Sequence, residues 1–265
     1  MKIIGIMLLK NEEIWLQNVI ENVIEFCDKL IILDNNSEDM TWEIIRKMQR
    51  LSSKIYSKKI ESVAESHSYI SGYAGTNTWI FAVDGDELYD PIGLKQLKKE
   101  LNCGKYNHVW NLKGNVLHCI SIDKTKKIAN GYLTPPSRSI TKLYNFRIIK
   151  KWDQCSQRLH SGELIFLDDY TNKILNIYNE LDWDESHFRC LHLCFIKRSN
   201  IIENKSRLNP SEIMVSKKYL LFKILKYFQL DFLNKTIFRT MESTYKKNNY
   251  CSGKLQNKVI SQFIL

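Results

Sequence analysis

Trp79-Ile80-Phe81-Ala82-Val83-Asp84-Gly85-Asp86-Glu87 decides the reading of this chain. Five apolar residues in a row predict a strand buried on both faces, as in the middle of a parallel sheet. The run then stops on carboxylates. In open α/β sheets ligands bind beyond the carboxyl ends of the strands. Two carboxylates one residue apart at such an end suit a hard divalent cation, held directly or through water. Gly85 allows a tight turn and the close approach of a phosphate. The plain alternative is a surface turn, because Asp and Gly are ordinary turn residues.

Toward the N-terminus the same pattern occurs twice more. Ile3–Leu9 is a continuous apolar run and predicts a central strand. Leu16, Val19, Ile20, Val23, Ile24 and Cys27 then recur at helical spacing. Leu30–Leu33 predicts a second strand, Asp34–Asp39 a polar turn, and Thr41–Leu51 a helix. Lys54–Ser57 reads as a third strand, residues 61–78 as partly helical, and Pro91 opens a helix through Leu101. Alternating strands and helices imply right-handed crossovers and a parallel sheet. The polar clusters at 10–13, 34–39 and 84–87 then meet at one edge of it. Asp34, at a strand tip, is placed to accept hydrogen bonds from a base or ribose, whereas Asp39 suits a helix cap. Glu12 and Glu13 suit the first turn of a helix, which leaves Asn11 to touch a ligand.

Beyond residue 102, His108–Leu112 and Val116–Ile122 read as strands of a hairpin. Ile128–Ser139, with Gly131, Pro135 and Pro136, reads as a loop, Lys142–Ile149 as a strand, and residues 214–245 as helical. His187, Cys190, His192 and Cys194 have no second ligand pair at zinc spacing. On a strand, alternation would place Cys190, His192 and Cys194 on one face.

With 265 residues, 44% hydrophobic and 26% charged, the chain can bury a sizeable core, which argues against disorder. Seven cysteines without a CxxC pair argue against a disulfide scaffold and for a reducing cytoplasm. The apolar start is followed by Lys10-Asn11-Glu12-Glu13 rather than a cleavage site, and no apolar run is long enough to span a bilayer. Residues 1–100 carry 12 Lys and Arg against 16 Asp and Glu, and residues 101–265 carry 27 against 13. A basic second half suits an anionic membrane, a phosphorylated substrate or simply a solvated face. Its basic residues form no nucleic-acid-binding motif, so no nucleic acid partner is expected.

The segments "MLLKNEEIWLQNVI", "IILDNNSEDMT" and "WIFAVDGDE", in this order, resemble the family-2-type glycosyltransferases of the GT-A fold. The resemblance covers residues 1–100 and is faint beyond them. It implies an α/β fold with a mostly parallel sheet flanked by helices and a helical C-terminal segment. The implied division is a catalytic domain at 1–205, with a nucleotide-sugar and metal half at 1–100 and an acceptor half at 101–205, then a basic helical segment at 206–265. Asn11 and Asp34 would hold the nucleotide. Asp84 would serve both diphosphate and metal, and Asp86 and His192 would complete a site for Mn2+ or Mg2+. The implied partners are a nucleotide-diphosphate sugar donor and a glycan or lipid-linked acceptor, with inversion at the sugar. Asn36 and Met40 stand where glycines are usual, and Val63–Thr78 lacks the arginine that relatives place there.

"KLYNFRIIKKWDQCSQRLHSGEL" resembles the acceptor segment, with Trp152 and His160, and makes Glu163 the first and Asp153 the second candidate for the base that deprotonates the acceptor hydroxyl. A phosphohydrolase of the haloacid-dehalogenase type also uses paired aspartates, but wants its nucleophile after the first strand. Residues 215–238 mix aromatic and aliphatic bulk with lysines, which suits a peripheral contact with an anionic membrane or a helix packed on the catalytic domain.

Overall fold

The computed structural model describes residues 1–201 and 249–265. The first hundred residues run β1 (Lys2–Leu9), α1 (Leu16–Val23), β2 (Lys29–Asp34), α2 (Thr41–Leu51), β3 (Ile55–Lys59), α3 (Ser68–Ser71), β4 (Thr78–Val83), β5 (Glu87–Tyr89) and α4 (Pro91–Asn102). Then come β6 (Asn111–Lys113), β7 (Asn115–Asp123), β8 (Ile128–Leu133), β9 (Lys142–Asn145), β10 (Ile149–Asp153), β11 (Glu163–Phe166), β12 (Ile174–Asn176), β13 (Arg189–His192) and β14 (Leu255–Val259).

A seven-stranded sheet has the order β12-β6-β9-β4-β1-β2-β3. Strands β4, β1, β2 and β3 are mutually parallel, and β9 joins β4 antiparallel. The apolar runs are buried on both faces, as continuous hydrophobic strands require. Ile3, Met7, Leu30, Ile32, Trp79 and Phe81 pack on the side of α1, α2 and α4. Ile4, Ile6, Ile31, Leu33, Ile80 and Ala82 pack on the other side with Ile70, Phe146 and Trp152. This is the mostly parallel, helix-flanked α/β sheet expected from the N-terminal pattern.

A second sheet, β14-β8-β7-β13-β5, closes the far side of the site. Here three expectations fail. The supposed hairpin of 108–122 divides between sheets: β6 lies in the large one and β7 in the small one. Gly114 is the pivot, because a Cβ there would run into the Phe188 carbonyl. The supposed loop at 128–139 contains strand β8, paired antiparallel with β7. Gly131, taken as a loop signal, is needed where two strands press together, since its Cβ would meet the His118 carbonyl and Cys119 Cα.

The third concerns only the last residues of the 206–265 segment. Residues 214–245 and 215–238 lie outside the described residues, but the tail is a strand rather than a helix. Leu255–Val259 alternates in exposure and pairs with β8, as its period of two dictates. The chain end is then pinned to α1: Asn22 donates to the Ile264 carbonyl at 2.8 Å, and the Ile264 amide donates back at 3.1 Å. Among the described residues no helix is long and apolar enough to cross a membrane, and all seven cysteines are free.

Candidate functional site

A cleft of about 1030 Å³ opens at the carboxyl ends of β1 and β4 and the start of β9. Its walls include Asn11, Glu12, Asn35, Asp84, Gly85, Glu87, Lys142, Arg158, His192 and Arg198. The three polar clusters do converge there.

The first two loops are sewn together. Asn11, with φ of 56°, donates its amide to Ser37 Oγ and accepts from the Glu38 amide. The Glu12 amide donates to Thr41 Oγ1 at 2.8 Å. Neither glutamate serves the first turn of α1, which begins later, at Leu16. Glu12 is instead buried and ion-paired with Arg198 at 2.8 Å, and Glu13 accepts from the Met40 and Asn200 amides. Asp39 is not the cap of α2, whose N-cap is Met40; it lies one residue earlier, its Oδ1 accepting from the Thr41 amide at 3.0 Å and its Oδ2 from the Glu13 amide at 3.3 Å. Asp34 closes β2 fully buried. Its Oδ2 accepts from the Ser37 amide at 3.4 Å, while Oδ1 has no hydrogen-bond partner among the described residues. A buried carboxylate oxygen left so is costly and marks a place for a donor group.

At the end of β4, Asp84 lies between two cations, 2.6 Å from Arg158 and 2.7 Å from Lys142. Burial alone would push its carboxyl up, but Lys142 and Arg158 together hold it well below the usual range. Lys142 also reaches Glu87 at 3.0 Å. Burial raises Glu87, Lys142 opposes, and the neighbouring charges of Asp84 and Asp86 raise it again, to about 7. Asp84 and Glu87 therefore share two fixed cations at the end of β4, and Asp86 lies between them in sequence; carboxylates gathered at a strand end suit a divalent cation.

Gly85 has a role other than a tight turn. A Cβ on it would lie 2.6 Å from Glu12 Cγ, so its lack of a side chain lets the loop after β4 press on the loop after β1.

His192 ends β13, and its Nε2 lies 3.7 Å from Asp86 Oδ2, both side chains being buried. The tautomers follow from the surrounding network. His118 Nε2 faces the Arg138 carbonyl at 2.8 Å, which can only accept, so that nitrogen carries the proton. Burial, then the proximity of His192, hold His118 well below the ordinary imidazole range, so it is neutral and its Nδ1 accepts. His192 Nδ1, 2.8 Å away, therefore donates. In the neutral ring this puts the His192 lone pair on Nε2, toward Asp86. A carboxylate and an imidazole lone pair sharing one space are a fitting donor set for Mn2+.

His118, His192 and Cys194 also have ligand atoms within 4.8 Å of one another. Both His118 nitrogens are already engaged, and burial, then the Asp86 charge, push the Cys194 thiol up, so no soft thiolate is offered to zinc. Cys190 is buried and outside this group.

The two proposed bases are not brought to the cleft. Asp153 and Glu163 face each other across the β10–β11 hairpin, outside the cleft walls. Asp153 is engaged by Lys151, and Glu163 is exposed. The segment instead delivers Arg158 and His160 to the cleft. Sequence reading missed Arg158, Lys142, Arg198 and His118. Residues 63–78 contain no arginine, but Arg158 packs against that stretch, its amide donating to Ser66 Oγ at 2.8 Å.

No protein-family model matches the chain, and no curated protein matches it. Three solved structures with similar folds can be named. S. aureus TarS in complex with UDP is 14% identical, with a TM-score of 0.42, over 66% of this chain and 60% of that one. The mannosyltransferase PcManGT of Pyrobaculum calidifontis, in complex with GDP-Man and Mn2+, is 15% identical, with a TM-score of 0.34, over 42% and 34%. Glucosyl-3-phosphoglycerate synthase of Mycobacterium tuberculosis, in complex with Mn2+, UDP-glucose and phosphoglyceric acid, is 20% identical, with a TM-score of 0.32, over 43% and 44%. The chain thus spans less than two thirds of each of these proteins.

Proposed function

We propose that the chain is a glycosyltransferase that takes a sugar from a nucleotide-diphosphate donor at this cleft, with a divalent cation held by Asp86 and His192. The observation that carries this reading is the Asp86–His192 pair, 3.7 Å apart and buried just beyond the end of β4, with His192 a wall of the cleft. A bound Mn2+ or Mg2+ would supply Lewis-acid stabilisation of the diphosphate leaving group. The chain's own groups do the rest. Asp84, fixed by Arg158 and Lys142, sets the edge of the metal site, and these two cations border the place where leaving-group charge develops. Asp34, fully buried and not itself a cleft wall, would act on the nucleotide through the loop it anchors, which brings Asn35 to the cleft. Asn11 and Asn35 line the same side of the cleft. Glu163 and Asp153 are not retained as the base, because neither lines the cleft.

The test is a thermal-shift screen of nucleoside diphosphates and their sugars, with and without Mn2+, on the wild-type chain and Asp86→Asn. A ligand at 100 times its Kd stabilises by about 2.7 kcal/mol. The expected result is stabilisation that needs both nucleotide and metal and is lost in Asp86→Asn. Equal stabilisation of the variant would remove the metal assignment, and no stabilisation by any nucleotide would remove the transferase reading.

A further inference from the structure

The cations of the cleft fall into two kinds. Lys142, Arg158 and Arg198 are each ion-paired with a carboxylate. Lys10, Lys113 and Arg138 also line the cleft, and none of the three has a carboxylate within ion-pair distance among the described residues; Lys10 belongs to the first loop, on the nucleotide side, which leaves Lys113 and Arg138 as a pair. They are held near one another by backbone. Lys113 ends β6 and precedes Gly114, whose carbonyl accepts from Ser139 Oγ at 2.8 Å and whose amide donates to Thr141 Oγ1 at 2.6 Å. Arg138 has both backbone groups engaged: its amide donates to the Asn249 carbonyl at 2.8 Å, and its carbonyl accepts from His118. Two like charges are thus carried on clamped supports beside a cleft. Burial, then the charge of Arg138, lower the Lys113 ammonium from its ordinary value, so the pair is short of negative charge. Such a pair is relieved by an anion placed between them, and a guanidinium fork with an ammonium suits the several oxygens of a phosphate.

Their side of the cleft matters too. In the sheet order β6-β9-β4-β1-β2, Lys113 is at β6 and Arg138 leads into β9. Asp34 and the first loop are at β2 and β1, across β4 and its carboxylates. An anion at Lys113 and Arg138 is therefore on the far side of the Asp84 cluster from the nucleotide loops, away from the donor's place in the proposed reading.

We propose that Lys113 and Arg138 form an anion subsite for the acceptor, which carries a phosphate group close to the hydroxyl that receives the sugar. The proposal rests on the transferase reading, and its test separates the two. Glycerol 3-phosphate and, as the uncharged control, glycerol are titrated by calorimetry into the wild-type chain, Lys113→Gln, Arg138→Gln and the double variant. The nucleoside diphosphate and Mn2+ are titrated into the same four proteins. Lys113 is half-buried and Arg138 exposed, so the glutamine variants are expected to melt with the wild type, and Lys113→Arg serves as the conservative rescue. The expected result is binding of glycerol 3-phosphate but not glycerol, weakened at least tenfold in the double variant and retained in Lys113→Arg, with nucleotide affinity unchanged within twofold. Equal glycerol 3-phosphate binding by wild type and double variant, or none by the wild type, would overturn the subsite. Parallel loss of nucleotide affinity would also overturn it, by assigning the pair to the donor diphosphate. A wild-type chain that binds glycerol 3-phosphate through this pair but no nucleoside diphosphate would overturn the word acceptor and the transferase reading, leaving only an anion site.

Discussion

Gly85→Ala puts the contact between the first and third loops under direct test. The added Cβ would lie 2.6 Å from Glu12 Cγ, 2.8 Å from its Cβ and 3.0 Å from its Cδ. Glu12 cannot simply swing away, because its amide is bonded to Thr41 Oγ1 and its carboxylate to Arg198. Overpacking of this kind costs about 1–3 kcal/mol. For a chain of this size that is a fall in Tm of about 2–4 °C per kcal/mol. Glu12→Ala removes the Cγ and Cδ contacts but keeps the one to Cβ, so it should relieve only part of the clash. In a double-mutant cycle the two substitutions should therefore couple favourably by about 1 kcal/mol, above the ~0.3–0.5 kcal/mol scatter of independent sites. Thermal and denaturant unfolding of the wild type, the two single variants and the double variant supply the cycle. Gly85→Ala melting with the wild type, or strict additivity with Glu12→Ala, would refute the idea that Gly85 is there to admit Glu12.

Three further outcomes are expected. Arg158→Met leaves Asp84 with Lys142 alone. The loss should be below the ~3–5 kcal/mol of a wholly orphaned buried charge, because Lys142 remains and Asp84 is a quarter exposed. Asp84 has a depressed carboxyl in the folded chain, so its contribution is present above the unfolded pKa and lost as pH falls through the folded one. In Arg158→Met the carboxyl is less depressed, so that acid-dependent loss should be smaller and should end at a higher pH, and superimposable melting-versus-pH curves would disprove the pairing. His118→Phe should lower Mn2+ affinity about 10–100-fold, as loss of a group that orients a metal-ligating histidine does, measured by Mn2+ electron paramagnetic resonance; unchanged affinity would show that His192 needs no such orientation. Asp34→Ala should weaken nucleoside diphosphate binding more than Asp39→Ala, whereas Asp39→Ala should cost about 1–3 kcal/mol by leaving the Thr41 and Glu13 amides unpaired; binding titrations beside melting curves would expose a reversal.

The parallel core was legible because its signal is local. Trp79–Val83 and Ile3–Leu9 are apolar at every position, and only a strand covered on both faces uses such runs. Asp84 and Asp86 were legible for the same reason, since a strand tip can be read from where the apolar run stops. The second sheet was not. Strands β6 and β7 are separated by one glycine, and no local pattern says that Gly114 sends them to different sheets. Gly131 carries the same letter as a loop glycine, while the strand contact that demands it comes from His118 and Cys119 on β7. The hydroxyl-deprotonating role was sought in Glu163 and Asp153 because they follow Trp152, but hairpin register pairs these two with each other, outside the cleft. Register of that kind is settled by tertiary packing.

The charge asymmetry of the chain acquires its meaning in the cleft. Glu12, Asp84, Asp86 and Glu87 all come from the acidic first hundred residues, and the groups facing them, Lys142, Arg158, His192 and Arg198, all come from beyond residue 100. The carboxylates needed for a metal would repel one another if the first half folded alone, and the buried cations of the second half would have no partners. Each half stabilises the charged groups of the other, so this arrangement of charges forms only when both have folded. The pairs Glu12–Arg198 and Asp84–Arg158 join positions 186 and 74 residues apart, which is why a composition shift was visible in the sequence and its pairing was not. The same logic isolates Lys113 and Arg138: they are the basic-half cations lining the cleft near which the acidic half places no carboxylate. Their counter-charge is therefore expected from the substrate.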